Sequence, residues 1–362
     1  MPSAHLNRIH ALRGIAALLV LGLHVSLWDA RAGQAIMPPG PGLGWVGVDI
    51  FFVLSGFIIV YATRASGSGL AAATGFFIQR AGRIFPAYWA VLTPVFLLAF
   101  LAPGMAGDDR NADFLLDLTL LPSTARMFIS PAWTLVHEMH FYLVFALLML
   151  FARRRLPVAL IVWAGLIALA GLLPNLPAPP YSKLAFNPLN LMFLLGAGVA
   201  LAMEAGWRAP MARTLAVVSG VGIAAGAALL HVTDWKNAGF GEWARVAFCG
   251  APAAGLILAL ATRDCMIAWT PPAALARLGD WSYALYLVNY PIVFVCGALI
   301  AGPDGAAVSK ACAILAAVIL SFVAAIALHH AVEKPAQAGA KALARKIASP
   351  RAPASPKGWQ MS

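Results

Sequence analysis

Long apolar stretches, each close to the length of one membrane crossing, follow one another along most of the chain. A transmembrane helix needs roughly 20 mostly apolar residues. Ten stretches meet this requirement: 11–28, 48–63, 84–102, 134–151, 156–173, 187–204, 212–231, 244–262, 283–301 and 311–331. The pattern therefore predicts an all-α, polytopic bundle of about ten transmembrane helices. A further apolar segment at 114–122 is too short to cross and contains Asp117, so we expect it to lie at the membrane interface.

The composition agrees with a bilayer as the main solvent. Hydrophobic residues make up 61% of the 362 positions and charged residues 11%, whereas soluble domains carry about 25% charged residues. We divide the chain into a transmembrane domain over 1–333 and a basic tail over 334–362. The Ala-, Lys- and Pro-rich composition of that tail predicts disorder.

Basic residues are concentrated in alternate loops and predict the orientation. Lys and Arg outnumber Asp and Glu by 25 to 14. We interpret these basic residues as signals that set the orientation of the protein in the membrane, rather than as a nucleic-acid-binding surface. On the side of the termini lie Arg8, Arg64, Arg80, Arg83, Arg153, Arg154, Arg155, Arg208, Arg213, Arg263, Arg277, Lys334, Lys341, Arg345, Lys346, Arg351 and Lys357; the opposite side has Arg31, Arg110, Arg126, Lys183, Lys236, Arg245 and Lys310. Both termini are therefore predicted to be cytoplasmic. We expect the protein itself to lie in the inner or plasma membrane. An alternative makes residues 1–33 a cleaved signal peptide, but that would leave nine spans and spoil the alternation.

Several ionisable residues lie inside the predicted spans, where each costs about 2.5–3.5 kcal/mol. Arg13 and His24 are eleven residues apart, so they share one helix face about 16 Å apart in height. Glu138 enters the fourth span at a depth comparable to His24, with Tyr142 four residues later over the same face. Two structural alternatives remain open: an interfacial histidine at position 24 and a snorkelling arginine at position 13.

Two further charged features allow two interpretations each. Asp49, in WVGVDIFFVLSG, lies at the mouth of the second span, where a carboxylate either takes part in chemistry or caps the helix start. Arg80 and Arg83, three residues apart, share a helix face near the cytoplasmic boundary. They either bind phosphate through their guanidinium groups or simply contribute positive charge to the inner side, as we expect for most of the block at 153–155.

No sequence motif predicts a metal or a tightly bound cofactor. In HEMH, His137 and His140 are three residues apart and lack the i, i+4 spacing of a zinc-binding HExxH helix. The four cysteines form no CxxC pair and lie in or beside apolar runs. We interpret them as buried thiols.

Five motifs, in this order, resemble the membrane-bound acyltransferase 3 family, which O-acylates cell-surface polysaccharides and related acceptors. They are LRGIAALLVLGLH, GWVGVDIFFVLSGFII, QRAGRIFPAYW, WTLVHEMHFY and SYALYLVNYP, and the resemblance runs from about residue 8 to 335. It implies a ten-span enzyme that takes an acyl group, most often acetyl, from cytoplasmic acyl-CoA as co-substrate. The acceptor would be a hydroxyl of a glycan or lipid-linked sugar at the outer face. The family's functional positions match His24, Arg13, Asp49, the turn Ser55–Gly56–Phe57, Arg80, Arg83 and Glu138.

These matches, with the geometry above, give a hypothesis for the site. His24 acts as general base, because an imidazole titrates near neutrality, and Glu138 or Asp49 orients it. Arg13, Arg80 and Arg83 hold the donor at the inner end of a passage that leads to His24. We also expect loop 103–132, with Asp108, Asp109 and Arg110, to contact the acceptor. Substrate contacts or structural support are expected from Ser55, Gly56, Tyr88, Trp133, Tyr142, Tyr286 and Asn289.

The chain departs from the family at Asn289, where members often carry histidine. Asparagine cannot take up a proton near neutrality, so we expect Asn289→Ala to cost much less activity than His24→Ala. Two rival classes remain: a secondary transporter, which should show related halves or paired broken helices that we do not find, and a non-catalytic polytopic protein. The partners expected are the lipid bilayer, acyl-CoA and a glycan acceptor, and no nucleic acid.

Overall fold

A computed structural model of the protein describes residues 6–33, 35–37, 43–102, 113–151, 155–173, 180–233, 241–301 and 306–348. Within these ranges the chain is helical and contains no strand. Its α-helices are α1 (Asn7–Arg31), α2 (Leu43–Thr63), α3 (Leu70–Leu101), α4 (Phe114–Thr119), α5 (Trp133–Phe151), α6 (Leu156–Gly171), α7 (Pro180–Ala185), α8 (Asn190–Glu204), α9 (Ala212–Val232), α10 (Gly241–Arg245), α11 (Ala251–Met266), α12 (Ala273–Cys296), α13 (Ala307–Leu328) and α14 (Lys334–Ala348).

The apolar stretches predicted to span the membrane all fall on helices. Across the described ranges, nine helical segments are long and apolar enough to cross, and α6 is a shorter apolar helix of 16 residues. The prediction of an all-α polytopic bundle is confirmed. Helix α4, which covers most of the predicted interfacial segment, has only six residues. Helix α3 begins fourteen residues before the predicted span, because Gln79, Arg80 and Arg83 interrupt the apolar pattern without interrupting the helix.

Three of the membrane helices continue through a π-helical turn. These turns are Val246–Gly250 between α10 and α11, Gly297–Ala301 after α12, and His329–Glu333 between α13 and α14. A π-turn adds a residue to the helix and rotates the following side chains relative to their neighbours. The first of these turns directly follows Arg245 and the third ends at Glu333, and both of these charged residues are buried.

Close helix crossings at glycine hold the centre of the bundle together. Helices α2 and α8 meet where Gly56 faces the carbonyl of Phe193 and Gly196 faces the carbonyl of Val53, with no room for a Cβ at either position. This is the small-residue packing by which membrane helices associate, since they gain little from the hydrophobic effect inside lipid. Helices α1 and α12 pack in a similar way, where Gly14 meets Gly279.

The C-terminal segment is more ordered than its composition predicts. Residues 334–348, where we expected disorder, form α14, which continues from α13 through a π-turn. It packs against the first half of α3, with Ala344 over Gly75 and Ala340 over Gly82. Alanine favours helix. Pro335 lies two residues after the end of the π-turn, where the helical hydrogen-bond pattern is already irregular. Residues 349–362 lie outside the described residues, and the domain boundary at 333 stays a prediction.

Two basic residues assigned to outer loops are in fact buried in ion pairs. Arg245 is 4% exposed and pairs with Asp49, and Lys310 is 1% exposed and lies 3.9 Å from Asp29. Their placement among the loop charges was wrong, because each begins a membrane helix and points into the bundle rather than into water. The predicted orientation rests on the remaining loop residues and stays a prediction.

Candidate active site

A cavity inside the bundle is lined by seven of the predicted site residues. It is bounded by α1, α2, α3, α5 and α12. The predicted site residues that line it are Arg13, Ser55, Arg80, Arg83, Glu138, Tyr142 and Tyr286. Side chains from five helices, up to 273 positions apart in the chain, therefore converge on one space within the membrane-spanning part of the protein.

Three arginines supply the positive charge of this cavity. Arg13 comes from α1, and Arg80 and Arg83 come from α3, where their spacing of three residues places them on one face as predicted. The guanidinium of Arg80 lies 5.8 Å from the ring centre of Tyr142, a cation–π contact. Arg13 and Arg83 repel each other electrostatically, and both are attracted to Glu138 and Glu333. The charge of the arginines is thus only partly offset by carboxylates.

Glu138 is held by two hydroxyl groups. Its Oε1 accepts a hydrogen bond of 3.1 Å from Ser55 Oγ and another from the hydroxyl of Tyr142. The i, i+4 relationship with Tyr142 predicted from sequence is confirmed by this contact. Within the described part of the chain, Glu138 makes no hydrogen bond with His24, whose Nδ1 is bonded to Asn289, so the structure does not support its expected role in orienting the imidazole. It belongs instead to the arginine cavity.

His24, on α1, is buried at 5% exposure. It lies beside Asn289, which is about one turn of α12 beyond the cavity residue Tyr286. Its Nδ1 hydrogen-bonds to Asn289 Oδ1. The Asn289 amide nitrogen donates to the carbonyls of Leu285 and Tyr286, at 2.6 and 3.0 Å, so the amide oxygen must face His24. Nδ1 then carries the proton and Nε2 keeps its lone pair. The residue that orients His24 is Asn289.

The imidazole of His24 packs against side chains of α12. Its ring meets the ring of Tyr290 edge-on, with ring centres 5.1 Å apart. Among the described residues, His24 lies outside the wall of the arginine cavity. Tyr286 lines that cavity, and its own backbone carbonyl anchors the Asn289 amide. The basic cavity and the imidazole are therefore neighbours joined through α12, and the passage expected between them stays a prediction.

Asp49 lies in a different polar cluster. Its carboxylate forms a buried ion pair with Arg245, whose guanidinium also lies 5.3 Å from the ring centre of Trp45. The interpretation as a helix cap is wrong, the expected contact with His24 is not observed, and a part in the reaction stays a prediction. Asp49 is the seventh residue of α2, beyond the first turn that a cap would occupy, and its partner is Arg245 rather than His24.

Three other predicted site residues lie outside the wall of the arginine cavity. Gly56 provides the crossing of α2 and α8. Tyr88 is fully buried, and its hydroxyl makes no hydrogen bond within the described part of the chain. Trp133 packs edge-on against the rings of Phe52 and His137, at 6.0 and 5.7 Å. None of the three lines the arginine cavity described above, and Asp108, Asp109 and Arg110 lie outside the described residues.

The candidate metal ligands of HEMH face different neighbours. His137 Nδ1 lies 3.3 Å from Asn190 Oδ1, whereas the His140 ring faces the ring of Trp163 at 6.0 Å. In the described ranges, no group of three His, Cys, Asp or Glu side chains is placed to hold a metal ion.

Sequence reasoning missed two charged residues and one tyrosine. Tyr283 lines the cavity and donates a 2.9 Å hydrogen bond to the Ile84 carbonyl. Glu333 is 3% exposed and acts electrostatically on the cavity arginines. Arg245 was assigned to a loop. The position of Glu333 just before Lys334 suggested a membrane boundary, and only its place at the end of a long apolar run hinted at burial.

Comparison with known proteins gives the family. The chain is 30% identical over 369 aligned positions to acyltransferase MdmB of Streptomyces mycarofaciens, with 91% of each chain covered. It is also 38% identical over 133 positions to the exopolysaccharide production protein ExoZ of Rhizobium meliloti (strain 1021), covering 32% of this chain and 38% of that protein. No solved structure matches the chain. The profile of the acyltransferase domain family matches residues 6–330, and the chain therefore belongs to this family as a multi-pass membrane acyltransferase.

Proposed function

We propose that the protein moves an acyl group, in the first instance acetyl, from cytoplasmic acyl-CoA to a glycan hydroxyl at the outer face of the inner or plasma membrane. The observation that carries this proposal is the convergence of Arg13, Arg80 and Arg83 on one cavity inside a membrane bundle, beside a buried histidine. Charged side chains at such depth are costly, so their retention argues for a ligand of opposite charge.

The donor fits the chemistry of the cavity. Acyl-CoA carries phosphates, which guanidinium groups bind through charge-assisted and often bidentate hydrogen bonds. Its long flexible arm ends in the thioester, so the phosphates can stay at the arginines while the reacting carbonyl reaches further into the bundle. Tyr286 lines the cavity, and its backbone carbonyl accepts a hydrogen bond from Asn289. We propose that the arm passes this side chain to reach His24.

The protonation of His24 fits a general base. Asn289 holds the proton on Nδ1, so Nε2 is free to accept the proton of the acceptor hydroxyl. The oxygen then forms a bond to the thioester carbonyl carbon, the carbon–sulfur bond breaks, and the CoA thiolate takes up the proton from the imidazolium. The products are an O-acyl ester and free CoA, and no further reactant is needed.

The position of His24 indicates the side of the membrane on which the acceptor binds. His24 lies in the half of α1 away from the N-terminus, which the predicted orientation makes the outer half. ExoZ is named for exopolysaccharide production, which favours a cell-surface or lipid-linked glycan as acceptor for this chain as well. The modification would then be O-acetylation of a polysaccharide or of its lipid-linked precursor.

The test uses purified protein in proteoliposomes supplied with acetyl-CoA carrying a labelled acetyl group. An enzyme cleaves the thioester in a His24-dependent manner, a transporter moves label across the membrane without cleavage, and a non-catalytic protein does neither. The matched control is His231→Ala, at an exposed histidine in α9. Thioester cleavage that survives His24→Ala contradicts the proposal. Mass spectrometry of surface glycans from a deletion strain, complemented with wild-type or His24→Ala protein, then identifies the acceptor.

A further inference from the structure

Glu333 is a buried carboxylate on a turn that packs against two of the helices around the arginine cavity. It is 3% exposed and ends the π-helical turn His329–Glu333, which packs against α3 and α12. Both of these helices contribute side chains to the cavity. The family profile ends at residue 330, so Glu333 lies just beyond the residues that the profile matches.

The carboxylate is fixed from its own helix. Its Oε2 accepts a 2.9 Å hydrogen bond from His329 Nδ1, and its Oε1 accepts one of 2.9 Å from Gln337 Nε2. These residues are four positions before and four positions after Glu333, on the same helix face. Among the described residues, Glu333 therefore keeps its position without a hydrogen bond from an arginine, and it does not need to move when an anion enters the cavity.

The charge of Glu333 nevertheless acts on the cavity. It attracts Arg13 and Arg83, as Glu138 also does. A fixed negative charge near a cationic site weakens the binding of any anion there, and the low dielectric constant of a bundle interior extends the range of the effect.

We propose that Glu333 is a fixed countercharge that limits the affinity of the arginine site for the phosphates of the donor, so that spent CoA leaves. This inference rests on the proposed function. Acyl-CoA and CoA carry the same phosphates, so binding energy gained from the phosphates is equal for substrate and product. Such uniform binding does not speed the chemical step, and when it is too strong it retains the product.

The test measures dissociation constants of purified protein for CoA and for pantetheine, which has the same arm and thiol but no phosphate. Glu333→Gln keeps the shape and removes the charge. We expect it to lower the dissociation constant for CoA roughly three- to tenfold, which corresponds to about 0.6–1.4 kcal/mol. The dissociation constant for pantetheine should stay unchanged, and inhibition of turnover by added CoA should strengthen by a similar factor.

A second variant tests the same inference with the opposite sign. Gln337→Glu replaces the amide that donates to Glu333 with a second carboxylate, and two carboxylates in contact share a proton near neutrality. Binding by this variant is therefore measured at about pH 9, where both groups are ionised, and the substitution should then weaken CoA binding without changing pantetheine binding. The matched control is Asp280→Asn, at a half-exposed carboxylate of α12 that lies 3.1 Å from His10, and it should leave both constants unchanged.

Three outcomes would overturn the inference. One is unchanged or weaker CoA binding in folded Glu333→Gln protein, and another is an equal change for pantetheine, which would mean a reshaped cavity. The third is wild-type protein that neither binds CoA nor cleaves acetyl-CoA, which refutes the proposed donor as well. If Glu333→Gln protein does not fold, unchanged CoA binding by Gln337→Glu protein is sufficient to reject the inference.

Discussion

His24 and Asn289 form a buried pair in which the amide oxygen of Asn289 accepts the Nδ1 hydrogen of the imidazole. The two residues are 265 positions apart in sequence and lie on the adjacent helices α1 and α12. In many enzymes a carboxylate orients a catalytic histidine. Here a neutral amide does so, and its own orientation is set by two backbone carbonyls of α12.

The pair predicts unequal losses from its two members. His24→Ala removes the base and should lower turnover by about 10²–10⁴-fold. Asn289→Ala removes one neutral hydrogen bond, of about 1 kcal/mol, and should cost on the order of tenfold. Steady-state rates with acetyl-CoA and a glycan acceptor measure both losses, and equal losses would contradict the assignment.

Asn289→Asp provides the control for this pair. It keeps an oxygen facing Nδ1, so the imidazole should keep its tautomer and more activity than in Asn289→Ala protein. If Asn289→Asp and Asn289→Ala protein are equally impaired while both remain folded, the amide does not act by orienting His24.

The residue pairs explain which features could be read from the sequence. The spans were predictable because apolar length is a local property, and the shared face of Arg80 and Arg83 follows from helical spacing alone. The partner of Asp49 was not predictable, because Arg245 lies 196 residues away on another helix. No periodic pattern specifies which buried helix faces meet, and the same limit applies to Asn289 as the partner of His24.

The cavity arginines predict a selective loss of donor affinity. Arg83→Gln removes charge-assisted hydrogen bonds to phosphate, each contributing about 1.5–3 kcal/mol. The KM for acetyl-CoA should therefore rise by roughly tenfold to a hundredfold, with a smaller effect on kcat. The control is Arg64→Gln, at an exposed arginine that packs on Tyr61. A large fall in kcat with unchanged KM would assign Arg83 to another step.

The ion pair of Asp49 with Arg245 predicts a loss of stability rather than of chemistry. Asp49→Asn leaves the buried guanidinium with less compensating charge, and breaking a buried pair from one side typically costs about 3–5 kcal/mol. We expect a lower melting temperature in detergent, with residual activity in proportion to the folded fraction.

Replacing both members of the pair with apolar residues, Asp49→Leu with Arg245→Met, should restore much of this stability, because neither position then carries a buried charge. Loss of turnover in Asp49→Asn protein that melts like the wild type would show instead that the carboxylate takes part in the reaction.

The crossing of α2 and α8 predicts that Gly56 is required for folding. A Cβ at this position would overlap the carbonyl of Phe193, which is backbone and cannot rotate away. We therefore expect Gly56→Ala to lower the yield of folded protein sharply, as measured by gel filtration in detergent. Gly198→Ala is the matched control, because a Cβ at Gly198 on α8 meets open space. Normal yield and normal melting of Gly56→Ala protein would contradict this packing.

Asp117, outside the membrane-spanning helices, predicts a pH dependence of stability. Burial raises the pKa of this carboxyl from 3.8 to about 6, against the opposing effect of the 2.7 Å hydrogen bond that it accepts from the Phe128 amide. Between about pH 4 and pH 6 the folded protein therefore binds more protons at this site than the unfolded chain does, and its contribution to stability is lost as the pH rises through this window. Asp117→Asn can keep the hydrogen bond without the charge, so it should melt higher than the wild type at pH 8 and like it at pH 4. An equal difference at both pH values would mean that the buried charge is not the cause.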